Sequence, residues 1–131
     1  MKKKLTLPKL KKKLDCIFSE YIRRRDSDGE YGCCITCGKP INWKYEGNAG
    51  HFQDRAKLST RFHEQNVHLQ CVSCNKYHGG RQYIYGHIID DLYGEGTADM
   101  LEAMPKDGFK ISRAEYAVLI AQYKQKVEEL T

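Results

Sequence analysis

Two short cysteine pairs restrict the possible folds of this chain more than any other feature of its sequence. Cys34 and Cys37 form one C-x-x-C pair, and Cys71 and Cys74 form a second. Both sulfurs of such a pair can reach one ion, and two pairs complete the closed tetrahedral four-cysteine site that is typical of structural zinc. We therefore expect one Zn²⁺ per chain, which contributes free energy to folding, with two unrelated cysteine pairs as the alternative.

The other two cysteines are not needed for this site. Cys33 lies beside a pair and competes with Cys34 for the metal, but Cys34 has the better spacing. Cys16 falls in a segment with helical periodicity, where we expect a half-buried free thiol.

Length and composition indicate one domain inside a cell. The 131 residues allow a single modest core. No apolar run approaches the roughly 20 residues needed to cross a bilayer, and no apolar stretch of a secretory signal follows the lysines at positions 2–4. We expect a cytoplasmic protein with no membrane partner and no small-molecule cofactor, in which cysteines bind metal or stay reduced.

The charge of the chain is positive and unevenly distributed. The net charge is +5, and residues 1–25 carry ten Lys and Arg against the two acids Asp15 and Glu20. A basic end favours a polyanionic partner, with nucleic acid first among these. An ordinary solvated surface is the alternative interpretation.

Hydrophobic periodicity divides one α+β domain, residues 1–131, into four parts. Residues 1–7 are predicted to form a flexible basic arm, and residues 8–25 a basic helix. Residues 30–80 contain nearly all the Cys and His and are predicted to form a metal-containing core. Residues 81–131 are predicted to be helical.

Two of these parts carry more detailed predictions. The core is expected to contain strands at 41–45, 48–52 and 67–70 and a short helix near 73–80. In the last part, Ile84, Ile88 and Leu92 are expected on one face of a helix, and a short helix is expected at 97–104. The final helix is predicted to start at a capping box formed by Ser112 and Glu115.

Three polar residues around the second cysteine pair lie at a spacing typical of one class of nuclease. His51 ends a strand-like segment, Asn66 precedes the pair and Asn75 follows it directly. The order H…N-x-x-x-x-C-x-x-C-N resembles the HNH motif in its HNN variant. Together with Ala49-Gly50-His51-Phe52, the segment from residue 61 to residue 75 and Gly80, it resembles the NinG (Rap) family of lambdoid phage recombination nucleases.

This resemblance implies both a fold and a mechanism. It implies a ββα-metal (HNH-type) finger, in which a hairpin and a helix hold one divalent ion, Mg²⁺ or Mn²⁺. His51 would remove a proton from water, because an imidazole titrates near neutral pH. Asn66 would hold the hairpin and orient the His51 ring. Asn75 would offer its amide oxygen to the cation, with His51 as a further candidate ligand.

One position departs from the motif. Many HNH enzymes have Asp immediately before the base and use it as a metal ligand, whereas this chain has Gly50. Either water completes the coordination, or another side chain supplies the ligand. Glu64, His63 and His68 are the candidates, and the sequence does not choose among them. Simple packing within a strand is the alternative for His68.

Basic residues near the motif are candidates for contacts with DNA phosphates. Each of them alone is as compatible with an ordinary surface charge. The candidates are Arg55, Lys57, Arg61, Lys76, His78 and Arg81, together with Arg23 and Arg24 of the first helix.

The resulting prediction is a metal-dependent DNA endonuclease: an α+β domain with a ββα-metal (HNH-type) finger held by a four-cysteine zinc site and flanked by N- and C-terminal helices. The resemblance implies branched recombination intermediates as substrate, D-loops or Holliday junctions, in a bacterial host cell. Because a junction requires two cuts, a homodimer is expected. The alternatives are a nonspecific or restriction-like HNH nuclease and a non-catalytic zinc-knuckle module that binds nucleic acid.

Overall fold

The computed structural model describes residues 4–131. These residues form α-helices and two small β-sheets joined by loops, which agrees with the predicted α+β class. Within these residues no helix is both long and apolar enough to cross a membrane. The α-helices are α1 (Leu7–Arg25), α2 (Leu58–Arg61), α3 (Gln82–Tyr93), α4 (Thr97–Ala103) and α5 (Arg113–Glu129). The strands are β1 (Ser27–Asp28), β2 (Tyr31–Cys33), β3 (Pro40–Asn42), β4 (Gly47–His51) and β5 (Val67–Cys71).

Helix α1 begins and ends where local signals in the sequence predict. The hydroxyl of Thr6 accepts a hydrogen bond from the backbone N–H of Lys9, and Pro8 lies in the first turn, where it has no N–H to satisfy. The helix ends before Asp26. The bounds differ by one residue from the predicted 8–25, and residues 1–3 of the predicted arm lie outside the described residues.

The main core lies between α1 and α5. Helix α5 begins at the predicted capping box, in which Ser112 and Glu115 each bond the other's backbone N–H. The Phe18 and Tyr123 rings meet edge to face at 4.9 Å between centroids. The buried side chains of this core are Leu14, Phe18 and Ile22 of α1, Val67 of β5, and Tyr116, Ile120 and Tyr123 of α5.

An antiparallel hairpin of β4 and β5 packs against this core and continues into helical turns. The register pairs His51 with Val67 and Gly50 with His68. Every residue of β5 is buried, and the strand is followed by a π-helical turn at Ser73–Tyr77, a 3-10 turn at Gly79–Arg81 and then α3. The predicted short helix near residues 73–80 is therefore present as two separate turns.

The first cysteine pair lies in a loop of the other sheet. Strands β1, β2 and β3 form an antiparallel sheet, and residues 34–39 connect β2 to β3. The backbone N–H of Cys34 bonds the carbonyl of Lys39 at 2.9 Å, which closes the loop. The sequence predicted one strand of this sheet, at 41–45, whereas β3 is Pro40–Asn42 and residues 43–46 form a turn. It predicted neither β1 nor β2, because these are two and three residues long and carry no apolar alternation.

The buried face of α3 differs from the predicted one. Ile84 and Leu92 are 41% and 56% exposed, whereas Tyr85 and Ile89 are fully buried. The physical reason is the Tyr85 hydroxyl, which donates a 2.7 Å hydrogen bond to the carbonyl of Gly50 and so turns the aromatic side of the helix toward the hairpin. The buried face was predicted from the aliphatic residues of the helix alone, and the prediction therefore missed the hydrogen bond of Tyr85. Helix α4 agrees with its predicted place.

Candidate functional site

The four predicted cysteine ligands converge on one point. Their Sγ atoms all lie within 4.8 Å of one another, and those of Cys37 and Cys71 are 3.8 Å apart. Four sulfurs at about 2.3 Å from a tetrahedral zinc are separated by about 3.8 Å. The cluster can therefore hold a metal such as zinc. Cys33 is exposed outside the cluster, and Cys16 is exposed on α1 rather than half-buried as expected.

The electrostatics of this cluster favour a cation. Burial would raise the pKa of the Cys34 thiol, but hydrogen bonds from Thr36 and from backbone groups lower it to about 6. Burial and the neighbouring sulfurs instead raise the pKa of Cys37 to about 12. Without a cation the four thiols therefore do not ionise together, and a divalent metal removes this repulsion.

A groove of about 830 Å³ brings together parts of the chain that are distant in sequence. Its walls come from α1, from β4 and the loop after it, and from the two turns that precede α3. Both His51 and Asn75 line it. The other lining residues are Asp15, Cys16, Ser19, Arg23, Asn48, Ala49, Phe52, Gln53, Asp54, Arg55, Lys76, Gly79, Gly80 and Gln82.

The orientation of the His51 ring is set by a backbone carbonyl. Nε2 of His51 lies 2.9 Å from the carbonyl oxygen of Arg61. A carbonyl oxygen can only accept, so the proton of the neutral ring is on Nε2 and the lone pair is on Nδ1. Burial lowers the pKa of His51, and the positive charges of Arg55 and Arg61 lower it as well. The neutral, proton-accepting form therefore predominates at neutral pH.

Asn66 braces the loop that provides this carbonyl. Its Oδ1 accepts from the backbone N–H of Gln53 at 2.7 Å, and its Nδ2 donates to the carbonyls of Gln53 and Thr60 at 3.2 and 3.1 Å. Asn66 is fully buried. Among the described residues it does not bond the His51 ring, but it fixes Thr60, the residue next to Arg61. Its effect on the orientation of the ring is therefore indirect.

The second cysteine pair fixes the positions of Asn75 and Lys76. Both belong to the π-helical turn that starts at Ser73, one residue after the end of β5. Cys74 is buried in the cluster, so the turn is held at one end, and Asn75 and Lys76 lie along the groove. π-helical turns are rare and occur frequently at functional sites.

His68 does not line this groove, and tyrosine hydroxyls engage both of its ring nitrogens. It is 2% exposed, and its Nδ1 and Nε2 contact the hydroxyls of Tyr85 and Tyr93 at 3.0 and 2.7 Å. Burial lowers the pKa of His68 to about 4, so the ring stays neutral. With both nitrogens engaged away from the groove, His68 is a packing residue.

The other two candidates for that ligand are also elsewhere. The Glu64 carboxylate accepts hydrogen bonds from Tyr21, Tyr123 and Lys126 at 2.8 to 3.0 Å, which joins α1 to α5. His63 accepts a hydrogen bond from the backbone of Gln65 through Nδ1. Neither residue lines the groove. In this structure the Glu64 carboxylate is used between α1 and α5, so a replacement for the missing Asp stays a prediction.

Four of the predicted DNA contacts belong to internal interactions. The Arg61 side chain is 12% exposed, and its Nε and Nη2 donate hydrogen bonds to the Asp15 carboxylate at 2.9 and 2.5 Å. Lys57 is 7% exposed and donates to the carbonyls of residues 101 and 102 at the end of α4. Nε of Arg81 lies 3.1 Å from Sγ of Cys74. Arg24 pairs with Glu20 and covers the Trp43 ring at 4.4 Å.

The remaining candidates lie at or beside the groove. Arg23, Arg55 and Lys76 line it. Arg23 is partly committed, because its guanidinium bonds the carbonyl of Trp43, whereas the Arg55 side chain is 61% exposed and pairs with Asp15 at 3.1 Å. His78 is exposed but does not line the groove. Among the described residues that line the groove, Lys76 is therefore a basic side chain outside any ion pair, and Arg55 is largely exposed although it pairs with Asp15.

Sequence reasoning missed Asp15. Its carboxylate pairs with Arg61 and Arg55 and closes one wall of the groove. Burial would raise the pKa of Asp15, but these two guanidinium groups lower it. Asp15 is one of two acidic residues in a very basic helix, but its partners are forty or more residues away, so no local pattern in the sequence reveals the pair.

Comparison with known proteins identifies a phage protein family. Residues 2–131 match the family model described as Bacteriophage Lambda NinG protein, so this chain belongs to the NinG family. It is similar to Protein ninG of Salmonella phage P22, with 32% identity over 111 residues. It is also similar to Protein ninG of Escherichia phage lambda and of Escherichia phage 933W, at 31% identity over 111 residues each.

These relatives are longer than the chain. The matched segment covers 84% of this chain but 52% of each of the three relatives, so the chain spans about half the length of the relatives it matches. No solved structure matches the chain.

Proposed function

We propose that this chain is a metal-dependent endonuclease that hydrolyses DNA phosphodiester bonds in the groove, with His51 as the general base. The observation that carries the proposal is the 2.9 Å contact between Nε2 of His51 and the carbonyl of Arg61. It leaves the lone pair on Nδ1, and the lowered pKa keeps the ring neutral, so His51 is ready to accept a proton from water.

The order of the elements supports a ββα-metal (HNH-type) assignment. Strand β4 ends in His51, β5 pairs with it, and the turn after β5 carries Asn75. The NinG family resemblance implies a hairpin followed by a helix with these two residues in this order. The four-cysteine cluster, with zinc bound, would hold both ends of this insert.

The donor set of the groove fits a hard divalent cation. When bound, Mg²⁺ or Mn²⁺ would stabilise the charge that develops on the scissile phosphate and the leaving oxygen. Asn75 would hold it through the amide oxygen, the kind of ligand such cations accept. His51 is assigned to the proton alone, because one ring nitrogen already bonds Arg61 and the other must remain a base. Lys76 and Arg55 would hold flanking phosphates.

For the substrate we propose branched recombination intermediates. This part rests on the resemblance to phage recombination nucleases. A four-way junction needs two cuts, so we further propose that two copies of the chain act on one junction. Sedimentation of the protein with and without a junction tests this second part.

The decisive experiment is cleavage of labelled linear, forked and four-way DNA in Mg²⁺ or Mn²⁺ by wild type and His51→Ala. We expect His51→Ala to keep its zinc, fold and DNA affinity and to lose about a hundredfold or more in rate, the scale of losing a general base. His87→Ala is the matched control, because His87 is an exposed histidine of α3 outside the groove. It should cleave at the wild-type rate.

The other outcomes separate the rival functions. Equal cleavage by wild type and His51→Ala would remove the chemistry from this groove. Binding without cleavage, in every metal and on every DNA, would favour a non-catalytic zinc-knuckle module. Equal rates on all three DNAs would leave a nonspecific HNH nuclease.

A further inference from the structure

Two of the most exposed aromatic side chains of the described residues lie beside the groove. Tyr83 is 82% exposed and Tyr77 is 78% exposed. Each directly follows a residue that lines the groove, because Lys76 precedes Tyr77 and Gln82 precedes Tyr83. An aromatic ring in water forgoes the large hydrophobic gain of burial. Isolated exposed tyrosines are ordinary, whereas two at the edge of one groove need an explanation.

A short turn separates the two tyrosines. Tyr77 ends the π-helical turn and Tyr83 is the second residue of α3, so only residues 78–82 lie between them. Gly79 and Gly80 have φ of +60° and +78°, which glycine adopts without strain and which allows a tight turn. Both glycines line the groove. Tyr77 and Tyr83, the tyrosine pair, therefore flank one tight turn in the wall of the groove.

This turn is fixed from its buried side. The carbonyl of Gly80 accepts a 3.0 Å hydrogen bond from Nε2 of the buried Gln70. Nε of Arg81 lies 3.1 Å from Sγ of Cys74, and Arg81 has a φ of +50°, a left-handed conformation that its side chain disfavours. These contacts hold the turn in one conformation, so the tyrosine pair stands on a rigid support. A rigid support lowers the entropy cost of binding a ligand.

The charge around the tyrosine pair suits a polyanion. No acidic residue occurs between Glu64 and Asp90, and this stretch contains Lys76 and Arg81. Lys76 is exposed and lines the groove next to Tyr77. Aromatic rings beside a basic groove are the combination that binds an unpaired nucleic-acid strand, because the cations contact its phosphates while the rings stack on its bases.

We propose that the tyrosine pair is a binding site for the unpaired bases of a DNA strand whose phosphates follow the groove. This inference rests on the proposed function, which requires DNA in the groove, and it adds a site for bases rather than for phosphates. In a continuous duplex the two faces of each base are covered by the neighbouring bases, whereas an unpaired base has a face free to stack on a ring.

The test compares the affinity of the zinc-loaded protein for two fluorescently labelled oligonucleotides of equal length, without Mg²⁺ or Mn²⁺ so that no cleavage occurs. One is an oligothymidylate, and the other has the same phosphates but abasic sugars. Wild type should bind the oligothymidylate more tightly. Tyr77→Leu and Tyr83→Leu should each weaken binding of the oligothymidylate about tenfold, the scale of losing one stack between a base and a ring, and should leave binding of the abasic strand unchanged.

Three further variants make this result specific to stacking. Tyr77→Phe keeps the ring and should bind as wild type does. Tyr45→Leu is the matched control, because Tyr45 is 79% exposed, but neither it nor an adjacent residue lines the groove and Glu46 follows it. It should bind both strands as wild type does. Lys76→Gln should weaken binding of both strands alike, because both carry phosphates.

Folding is checked by zinc content and thermal melting of every variant, and replacement of these exposed side chains should change neither. An equal loss on both strands, or no loss on the oligothymidylate, in both leucine variants of the tyrosine pair would overturn the base-binding site. A change of sedimentation in Tyr77→Leu without DNA, with unchanged oligothymidylate affinity, would overturn it as well and would assign the ring to an interface between two copies of the chain.

The same measurements separate this failure from a failure of the proposed function. If Lys76→Gln weakens binding of both strands and the leucine variants weaken neither, DNA lies in the groove and the tyrosine pair is not part of the site. If wild type binds neither strand, both proposals are wrong. If the leucine variants lose affinity for the oligothymidylate alone while His51→Ala cleaves DNA at the wild-type rate, the base-binding site stands and the chemistry proposed for His51 is wrong.

Discussion

The cysteine cluster and the groove adjoin along β5, but they are assembled in different ways. Each cysteine pair is a local unit of four residues, and the cluster needs only two such units to meet. The groove takes its lining from α1, β4 and the turns after β5, so its proposed base, His51, and its proposed cation ligand, Asn75, come from different elements. Gln70 links the two, because its Nε2 bonds Thr36 of the first pair and Gly80 of the groove. The cluster is thus the fixed support, and the groove depends on it.

The substitution with the largest expected effect disrupts the cysteine cluster. Cys71→Ser should abolish zinc binding and unfold the protein or reduce its stability severely, because the binding free energy of a structural zinc is folding free energy. Circular dichroism melting and zinc content by mass spectrometry measure the two effects. Cys33→Ser is the control, because Cys33 is exposed beside the cluster and outside it. A folded, zinc-free Cys71→Ser protein would show that the groove does not need the cluster.

The same difference explains what the sequence predicted and what it did not. The cysteine ligands, α1, α5 and the presence of His51 and Asn75 in one groove follow from local spacing, capping and a short motif. The partners of Arg61, Arg81 and Lys57 do not, because each is bound by groups that only the tertiary fold brings near. The sequence alone does not distinguish an exposed arginine from one that is paired inside the protein.

Substitution of Asp15 tests whether α1 positions His51, the proposed general base. Asp15→Asn removes the charge that holds Arg61, whose carbonyl orients His51, and should lower the free energy of unfolding by about 2 kcal/mol. The cleavage rate should fall roughly tenfold through misplacement of the ring. The Asp15 charge also raises the pKa of His51, so the acidic limb of the pH–rate profile should move to lower pH.

A structural role for Asp15 limited to stability would produce a different pattern. In that case the melting temperature would fall while the pH–rate profile stayed in place. Glu20→Gln is the control for a lost acidic charge on α1, because Glu20 pairs with Arg24 outside the groove. It should change neither the rate nor the profile.

His68 is a buried histidine that does not line the groove. Its pKa is about 4 in the folded protein because of burial, against 6.5 for a free histidine, so the unfolded chain binds its proton first as the pH falls. Stability is then lost from about pH 6.5 downward, and this one group accounts for about 2 kcal/mol at pH 5. His68→Phe should lose less stability than wild type between pH 7 and pH 5, as measured by urea unfolding. A parallel decline in both proteins would show that the ring protonates without cost.

The smallest expected effect concerns the rim of the groove. Of the predicted phosphate contacts, Lys76 is exposed, lines the groove and is not one of the internally paired cations. Lys76→Gln should weaken binding to all DNA sequences alike and reduce the slope of log affinity against log salt by about one unit for duplex DNA. Lys124→Gln on α5 removes the same charge from an exposed position that does not line the groove, and its slope should remain that of wild type. Equal slopes for wild type and Lys76→Gln would mean that DNA does not follow this groove. An equal decrease of the slope in both variants would mean that the whole basic surface, rather than the groove, attracts the DNA. The groove would then be distinct from the cysteine cluster in cleavage but not in DNA binding.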